Sequence, residues 1–308
     1  MSANTLVELV GYSSMAVARR LAGMQGGGVI VCGHTLSAAQ ARFQVEVLGR
    51  WFDFIHHDEL PARLSRPRPR PFCLLTFDDG KRSNATELAP ELERLGVPAA
   101  FYVVTRFLSG GRPLWFDRQE ALVRALGLTP PGLEQTVLKR LPLHEIDERL
   151  DRACAAAGLA LDLTSDDVRA MTWDDARSLA RRGFTIGAHG RTHAIATNER
   201  EEDARADIVH SLADVARELG SMCVTYAFPN GNYTDALARH AQAAGAATVM
   251  TTEPTWVTRQ SQLWRLPRVQ LFGEHSRSRI ELKLAAAVTG HLLVNPNGRS
   301  GRHVRALA

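Results

Sequence analysis

Phe72-Cys-Leu-Leu-Thr-Phe77 is a short, nearly unbroken apolar run, and a strand of that composition needs cover on both faces. Comparable runs recur at 29–32, 52–55, 99–104, 184–188, 223–228, 247–251 and 267–271, and helix-patterned segments separate most of them. Ser37 and Thr172 sit where helix N-caps belong, and Gly96 and Gly183 where helices end. This order of elements is what βα units produce. The chain is therefore predicted to be α/β, a distorted or incomplete (β/α) barrel of about seven parallel strands.

Two stretches break the alternation. Ser65-Arg-Pro-Arg-Pro-Arg-Pro71 reads as a connector, because alternate prolines fix φ and remove backbone donors. Between about 110 and 170 the strand signal lapses around Pro130-Pro131, while Leu143 to Ala157 keeps helical character, so this stretch reads as a helical insertion. The expected organisation is an N-terminal amphipathic helix (Leu6 to Leu21) and linker over 1–28, one large domain over 29–290, and a disordered basic tail over 291–308.

The amphipathic segment packs on its own domain, on a membrane surface or on another subunit, the first being the expected arrangement. It lacks a basic region ahead of its apolar residues and contains Glu8, unlike a secretory signal, and no run reaches the roughly 18 apolar residues of a membrane span. A cytoplasmic, optionally membrane-peripheral protein is expected. Cys32, Cys73, Cys154 and Cys223 are widely spaced, three of them inside strand-like runs, and read as reduced core residues. The formal net charge of +4 is small, and the basic excess is partly concentrated in Arg66, Arg68 and Arg70 and in a tail with Arg299, Arg302 and Arg305. No nucleic-acid partner is expected on that basis.

The chemistry concentrates at strand ends. Thr76-Phe-Asp-Asp-Gly80 sets two carboxylates directly after a buried strand, where successive side chains face opposite ways unless the backbone turns, and Gly80 permits the turn. A solvated turn with a helix cap would have the same composition. His189-Gly-Arg-Thr-His193 spaces two imidazoles so that both can reach one ion, and Gly187 and Gly190 mark a loop. A carboxylate plus two imidazoles gives a three-ligand site with a position left for water. The second carboxylate remains free to take a proton.

These two motifs, in this order and context, resemble those of the polysaccharide deacetylases with the NodB homology domain, carbohydrate esterase family 4. The resemblance runs from about Val29 to Val288, interrupted by the insertion. It implies that Asp78 is the catalytic base and that Asp79, His189 and His193 hold a divalent metal, with zinc expected; Gly190 replaces the usual Ser or Thr. Ala227-Phe-Pro-Asn-Gly231 resembles the arginine-free variant of the third motif, which implies that Pro229 and Asn230 border the substrate and that the Asn230 N–H meets the oxyanion. Arg268 in Leu266-Pro-Arg268 is the candidate to replace the missing arginine, against an ordinary surface ion pair. The fifth motif, which supplies the general acid, has no match. His34 at the end of the first strand resembles a histidine that takes that role in a subgroup, against a structural histidine bonded to backbone; His275 is the rival, expected as a solvent-facing loop residue.

The function implied is metal-dependent hydrolysis of an N-acetyl group on an amino sugar of an oligo- or polysaccharide, with acetate released. Two alternatives stand beside it: a deacylase acting on a small or lipid-linked sugar, and a catalytically silent carbohydrate-binding protein.

Overall fold

The computed structural model describes residues 14–18, 20, 27–66 and 70–294. Eight strands occur in it: β1 Gly28–Gly33, β2 Asp53–Phe54, β3 Phe72–Phe77, β4 Ala99–Val103, β5 Thr185–Ala188, β6 Thr225–Ala227, β7 Thr248–Met250 and β8 Val269–Gln270. Seven lie in the order β7-β6-β5-β4-β3-β1-β8, while β2 pairs with the start of β3, and every strand pair is parallel. The run into β8 leans on β7, where Leu266 N–H donates to Val249 O at 2.8 Å and Thr251 N–H to Leu266 O at 2.8 Å, before Val269 pairs with Val31. The expected distorted barrel is therefore what forms, with a irregular seam between its last two strands.

Strand parity sorts the side chains. Ile30, Phe72, Leu74, Ala100, Tyr102, Ala227 and Met250 pack together on the inner side, whereas Val29, Val31, Cys73, Leu75, Phe101 and Val103 pack under the surrounding helices. Continued one step further along β1 and β3, the inner parity reaches Cys32, Thr76 and then Asp78, so the apolar lining becomes polar at the C-terminal ends of the strands. Helical residues 14–18 place Met15 and Ala18 in the outer core, which is the packing expected of a helix resting on its own domain; residues 6–13 lie outside the described ones.

The helices are α1 Ala38–Gly49, α2 Leu60–Ser65, α3 Ala89–Arg94, α4 Thr105–Leu108, α5 Trp115–Leu126, α6 Gln135–Leu138, α7 Leu143–Ala157, α8 Trp173–Arg181, α9 Glu201–Leu219, α10 Asp235–Ala243 and α11 Arg277–Val294. Ser37 and Thr172 both cap as expected, each in a capping box. The helical segment that closes at Gly96 begins as a π-helical turn, Asn84–Leu88, running into α3. Pro90 has no N–H to give to the preceding turn, and a wider turn absorbs the lost bond. The last helix, α11, is described from Arg277 as far as Val294. The tail expected to be disordered lies, from residue 295 onward, outside the described residues.

The interrupting segment does contain α5, α6 and α7, and these share a core of their own around Trp115, Leu122, Leu138, Ile146 and Leu150. Its exit is pinned to the loop after β3: Arg82 N–H donates to Arg169 O at 2.8 Å, Ser83 N–H to Asp166 O at 2.9 Å and Met171 N–H to Gly80 O at 2.9 Å. All four cysteines are free, with Cys154 only partly buried on α7. No helix among the described residues is long and apolar enough to cross a membrane.

Candidate active site

Asp78 continues the inward parity of β3, and the chain then turns sharply, with Asp79 at φ 76° and Gly80 at φ 74°. The turn anticipated from Gly80 thus begins one residue earlier, on Asp79 itself. A left-handed backbone at a non-glycine residue costs roughly 1–3 kcal/mol and has to be held by its surroundings. Its result is that two successive carboxylates reach the same side, 3% and 1% exposed.

Their environments differ. Asp78 receives two hydrogen bonds from Arg268, Nη1 to Oδ1 and Nη2 to Oδ2, both at 2.8 Å, and the Cys32 thiol lies 3.3 Å from Oδ2. Arg268 is completely buried, so it is not a surface ion pair; it also donates to Thr251 O and Thr76 Oγ1 and lies over the Tyr102 ring at 5.5 Å. Tyr102 is in turn steadied by a chain of hydroxyls, its OH 2.8 Å from Thr225 Oγ1 and that oxygen 2.8 Å from Thr248 Oγ1. Burial opposes a charge on Asp78, but the guanidinium overrides it and holds the carboxyl at about 2.

Asp79 faces the loop after β5. Its Oδ1 lies 3.4 Å from His193 Nε2 and 3.7 Å from His189 Nε2, and among the described residues takes no hydrogen bond although it is buried. Burial opposes this charge too, yet His193, His34 and Lys81 hold the carboxyl well below the usual carboxylate range. His189 donates from Nδ1 to Ala227 O at 2.9 Å, which leaves its Nε2 as the lone pair turned toward the aspartates. Burial pushes its imidazole down to about 4, so it is neutral near pH 7.

One ligand atom from each of Asp79, His189 and His193 lies within 4.8 Å of the others. A buried carboxylate oxygen without a donor is expensive, and a cation facing it would remove the cost. A hard oxygen with two imidazole nitrogens is also a donor set that divalent transition metals accept. The residues fit a metal.

The remaining sequence candidates surround this cluster to different degrees. His34 is half-buried just beyond β1, its ring parallel to Phe272 with centroids 6.5 Å apart, and its charge is felt by both Asp78 and Asp79. Among the described residues its imidazole has no hydrogen-bond partner, which is not the backbone-bonded arrangement of a structural histidine. His275 is buried at 3% exposure rather than solvent-facing, and its Nδ1 accepts the Phe272 N–H at 3.3 Å. The tight turn at Phe272–His275 folds it under its own loop. Pro229 borders the histidine loop, since a Cβ on Gly190 would stand 3.2 Å from its Cγ, and Asn230 takes φ 54° with its side chain bonded to Asn232.

Several site neighbours were not legible as such. Lys81 and Asp117 form a buried ion pair, and Phe116 lies edge-on to His193 at 5.2 Å, so α5 of the inserted segment walls the site. No local pattern marks a partner 36 residues away. Cys32 was readable as inward-facing by parity alone.

The profile of the family described as polysaccharide deacetylase matches residues 65–249, a span that holds Asp78, Asp79, His189, His193, Pro229 and Asn230 but neither His34 nor Arg268. No curated protein matches the chain significantly. Among solved structures, the Streptococcus pyogenes deacetylase PplD, determined with acetate, is similar at TM-score 0.58 and 14% identity, covering 84% of this chain and 99% of that one. IcaB from Ammonifex degensii gives TM-score 0.58 at 17% identity, over 85% of this chain and 98% of that one. The BpsB deacetylase domain from Bordetella bronchiseptica gives 0.54 at 18%, over 80% and 96%. At these identities the structural likeness speaks for the fold, and the profile carries the assignment: this chain belongs to the polysaccharide deacetylase family, hydrolases that deacetylate carbohydrates.

Proposed function

We propose that the protein is a metal-dependent N-deacetylase acting on an N-acetylated amino sugar within an oligo- or polysaccharide. The observation that carries this reading is the pairing of a donor-saturated Asp78 with a donor-starved Asp79 beside two imidazoles. Asp79, His189 and His193 would hold the metal, with zinc favoured by the mixed oxygen and nitrogen donors. A divalent cation there supplies Lewis-acid polarisation of the acetyl carbonyl and of the attacking water.

The protein's own residues account for the proton movements. Asp78, kept ionised by Arg268, accepts a proton from the water as its oxygen adds to the acetyl carbon. Arg268 fixes the carboxylate plane through two parallel bonds, so the base does not have to reorganise during transfer. The Asn230 N–H meets the oxyanion from the edge formed by Pro229 and Asn230. Breaking the C–N bond then requires a proton on the departing nitrogen, and His34 supplies it; support for this role comes from its position at the end of β1 and its electrostatic reach to both aspartates. Acetate and a free amine result.

The direct test is acetate release from N-acetylglucosamine oligomers by the purified full chain, before and after chelation. Release that is lost on chelation, restored by zinc and absent in Asp78→Asn is expected. Release unaffected by complete metal removal would overturn the metal dependence, and no release from any acetylated sugar would overturn the activity.

A further inference from the structure

The loop that carries both imidazoles is unusual in its backbone. Gly190 has φ 71° and His193 φ 61°, so the segment between the histidines turns in a way that an unsupported chain would abandon. Its carbonyls are held from one side, where Thr105 N–H donates to Gly190 O at 3.2 Å and Arg106 N–H to Arg191 O at 2.9 Å. Its amides are held from the other. Asp207, on α9, accepts the Arg191 N–H at Oδ2 (2.7 Å) and the Thr192 N–H at Oδ1 (3.1 Å), and the Thr192 hydroxyl donates to the same Oδ1 at 2.8 Å.

The same carboxylate adds to the case for glycine. The φ of 71° already strains any side chain at residue 190, and a Cβ there would stand 2.8 Å from Asp207 Oδ2, so a serine or threonine would also have to push this carboxylate aside. Where a hydroxyl on the loop would steady it from within, an acid on the neighbouring helix steadies it from outside.

We infer that Asp207 is a positioning residue that sets the separation and aim of His189 and His193 by gripping Arg191 and Thr192, two of the three residues between them, and that it adds to the demand for glycine at 190. The inference rests on the reading of His189 and His193 as metal ligands. Asp207 touches neither substrate nor metal; it acts through the loop, as outer partners of metal ligands do when their loss weakens binding by about 10–100-fold.

The test is zinc affinity of the full chain by competition with a chromophoric chelator, together with the visible spectrum of the cobalt-substituted protein, which reports ligand geometry rather than folding. Asp207→Ala should weaken zinc by about 10–100-fold and alter the cobalt bands, while Asp207→Asn, which keeps one acceptor oxygen, should weaken it by only about 3–10-fold. Gly190→Ala should cost more affinity in the wild-type background than in Asp207→Ala, where the colliding oxygen is gone. Wild-type affinity and an unchanged cobalt spectrum in Asp207→Ala overturn the inference, and if that variant does not fold, the same result in Asp207→Asn does so. Failure of the underlying reading looks different: His189→Ala/His193→Ala would then bind zinc as the wild type does, whatever Asp207 contributes.

Discussion

The Asp78 side of the site and the Asp79 side are built from adjacent residues of one strand end, yet they are finished in opposite ways. Asp78 is surrounded by donors, with two bonds from a fully buried arginine and a thiol nearby. Asp79 is equally hidden but keeps an oxygen that nothing among the described residues satisfies, turned toward the Nε2 atoms of two imidazoles, of which His189 presents a lone pair. Donors from the described residues complete the first carboxylate, whereas the second keeps an oxygen open to a cation or donor from outside. Burial alone does not decide a carboxylate's task; the partners left to it do.

The sharpest way to break this comparison is to remove the acceptors on the Asp79 side. In the proposed reading, Asp79→Ala and His189→Ala/His193→Ala should drop metal content from about one ion per chain to background, with deacetylation lost as a consequence. Elemental analysis after dialysis reads it. Full occupancy in the double histidine variant would mean that the unsatisfied oxygen of Asp79 serves another purpose.

The next effect separates the two sides. Asp78→Asn should keep the metal and reduce turnover by at least about 10²–10⁴-fold, since an amide of the same shape cannot take the proton. Metal loss with a trace of activity would instead show that the two aspartates have exchanged roles.

Much of this division was visible before any coordinates. The continuous run at 72–77 fixes β3, and its parity sends Asp78 inward; the spacing of His189 and His193 brings both to one loop. Arg268 is legible as an arginine at a late strand end that can stand in for the one absent from Ala227-Phe-Pro-Asn-Gly231. What stayed hidden are interactions that depend on packing between distant segments. Asp207 lies on a helix face between buried Ala204 and Ile208, a placement that could have flagged it, but nothing local says that it grips a loop. The burial of His275 depends on a turn whose shape the apolar pattern does not encode, and the Lys81–Asp117 pair depends on how the inserted helices fold back.

A smaller and more selective effect concerns the histidine that both aspartates feel. His34→Ala should lower kcat on an acetamide by about 10²–10⁴-fold with metal content unchanged, and should affect an activated phenyl ester far less, because a phenolate leaves without help. His275→Ala should leave the acetamide rate near that of the wild type. Equal losses on amide and ester in His34→Ala would assign His34 to binding or structure, and an amide-selective loss in His275→Ala would move the acid to the other side of Phe272.

The smallest expected effect is on stability, and its sign follows from Asp78. Its carboxyl titrates at about 2 in the folded protein against an ordinary value of 3.8, so the folded state prefers the ionised form. A depressed acid of this kind contributes stability that is fully present above the ordinary value and is lost as pH falls through the folded one. For the metal-free protein the window is therefore between about pH 4 and pH 2, and the contribution is on the order of 2 kcal/mol. Denaturant titrations of chelated protein at a series of pH values should show this loss in the wild type. In Asp78→Asn the group that titrates is gone, so the slope of stability against pH should be shallower across the same window, even though the variant starts less stable with Arg268 left as an unpaired buried charge. Identical slopes would mean that Arg268 does not hold Asp78 ionised in the folded protein, and the contrast between a finished and an unfinished carboxylate would then rest on Asp79 alone.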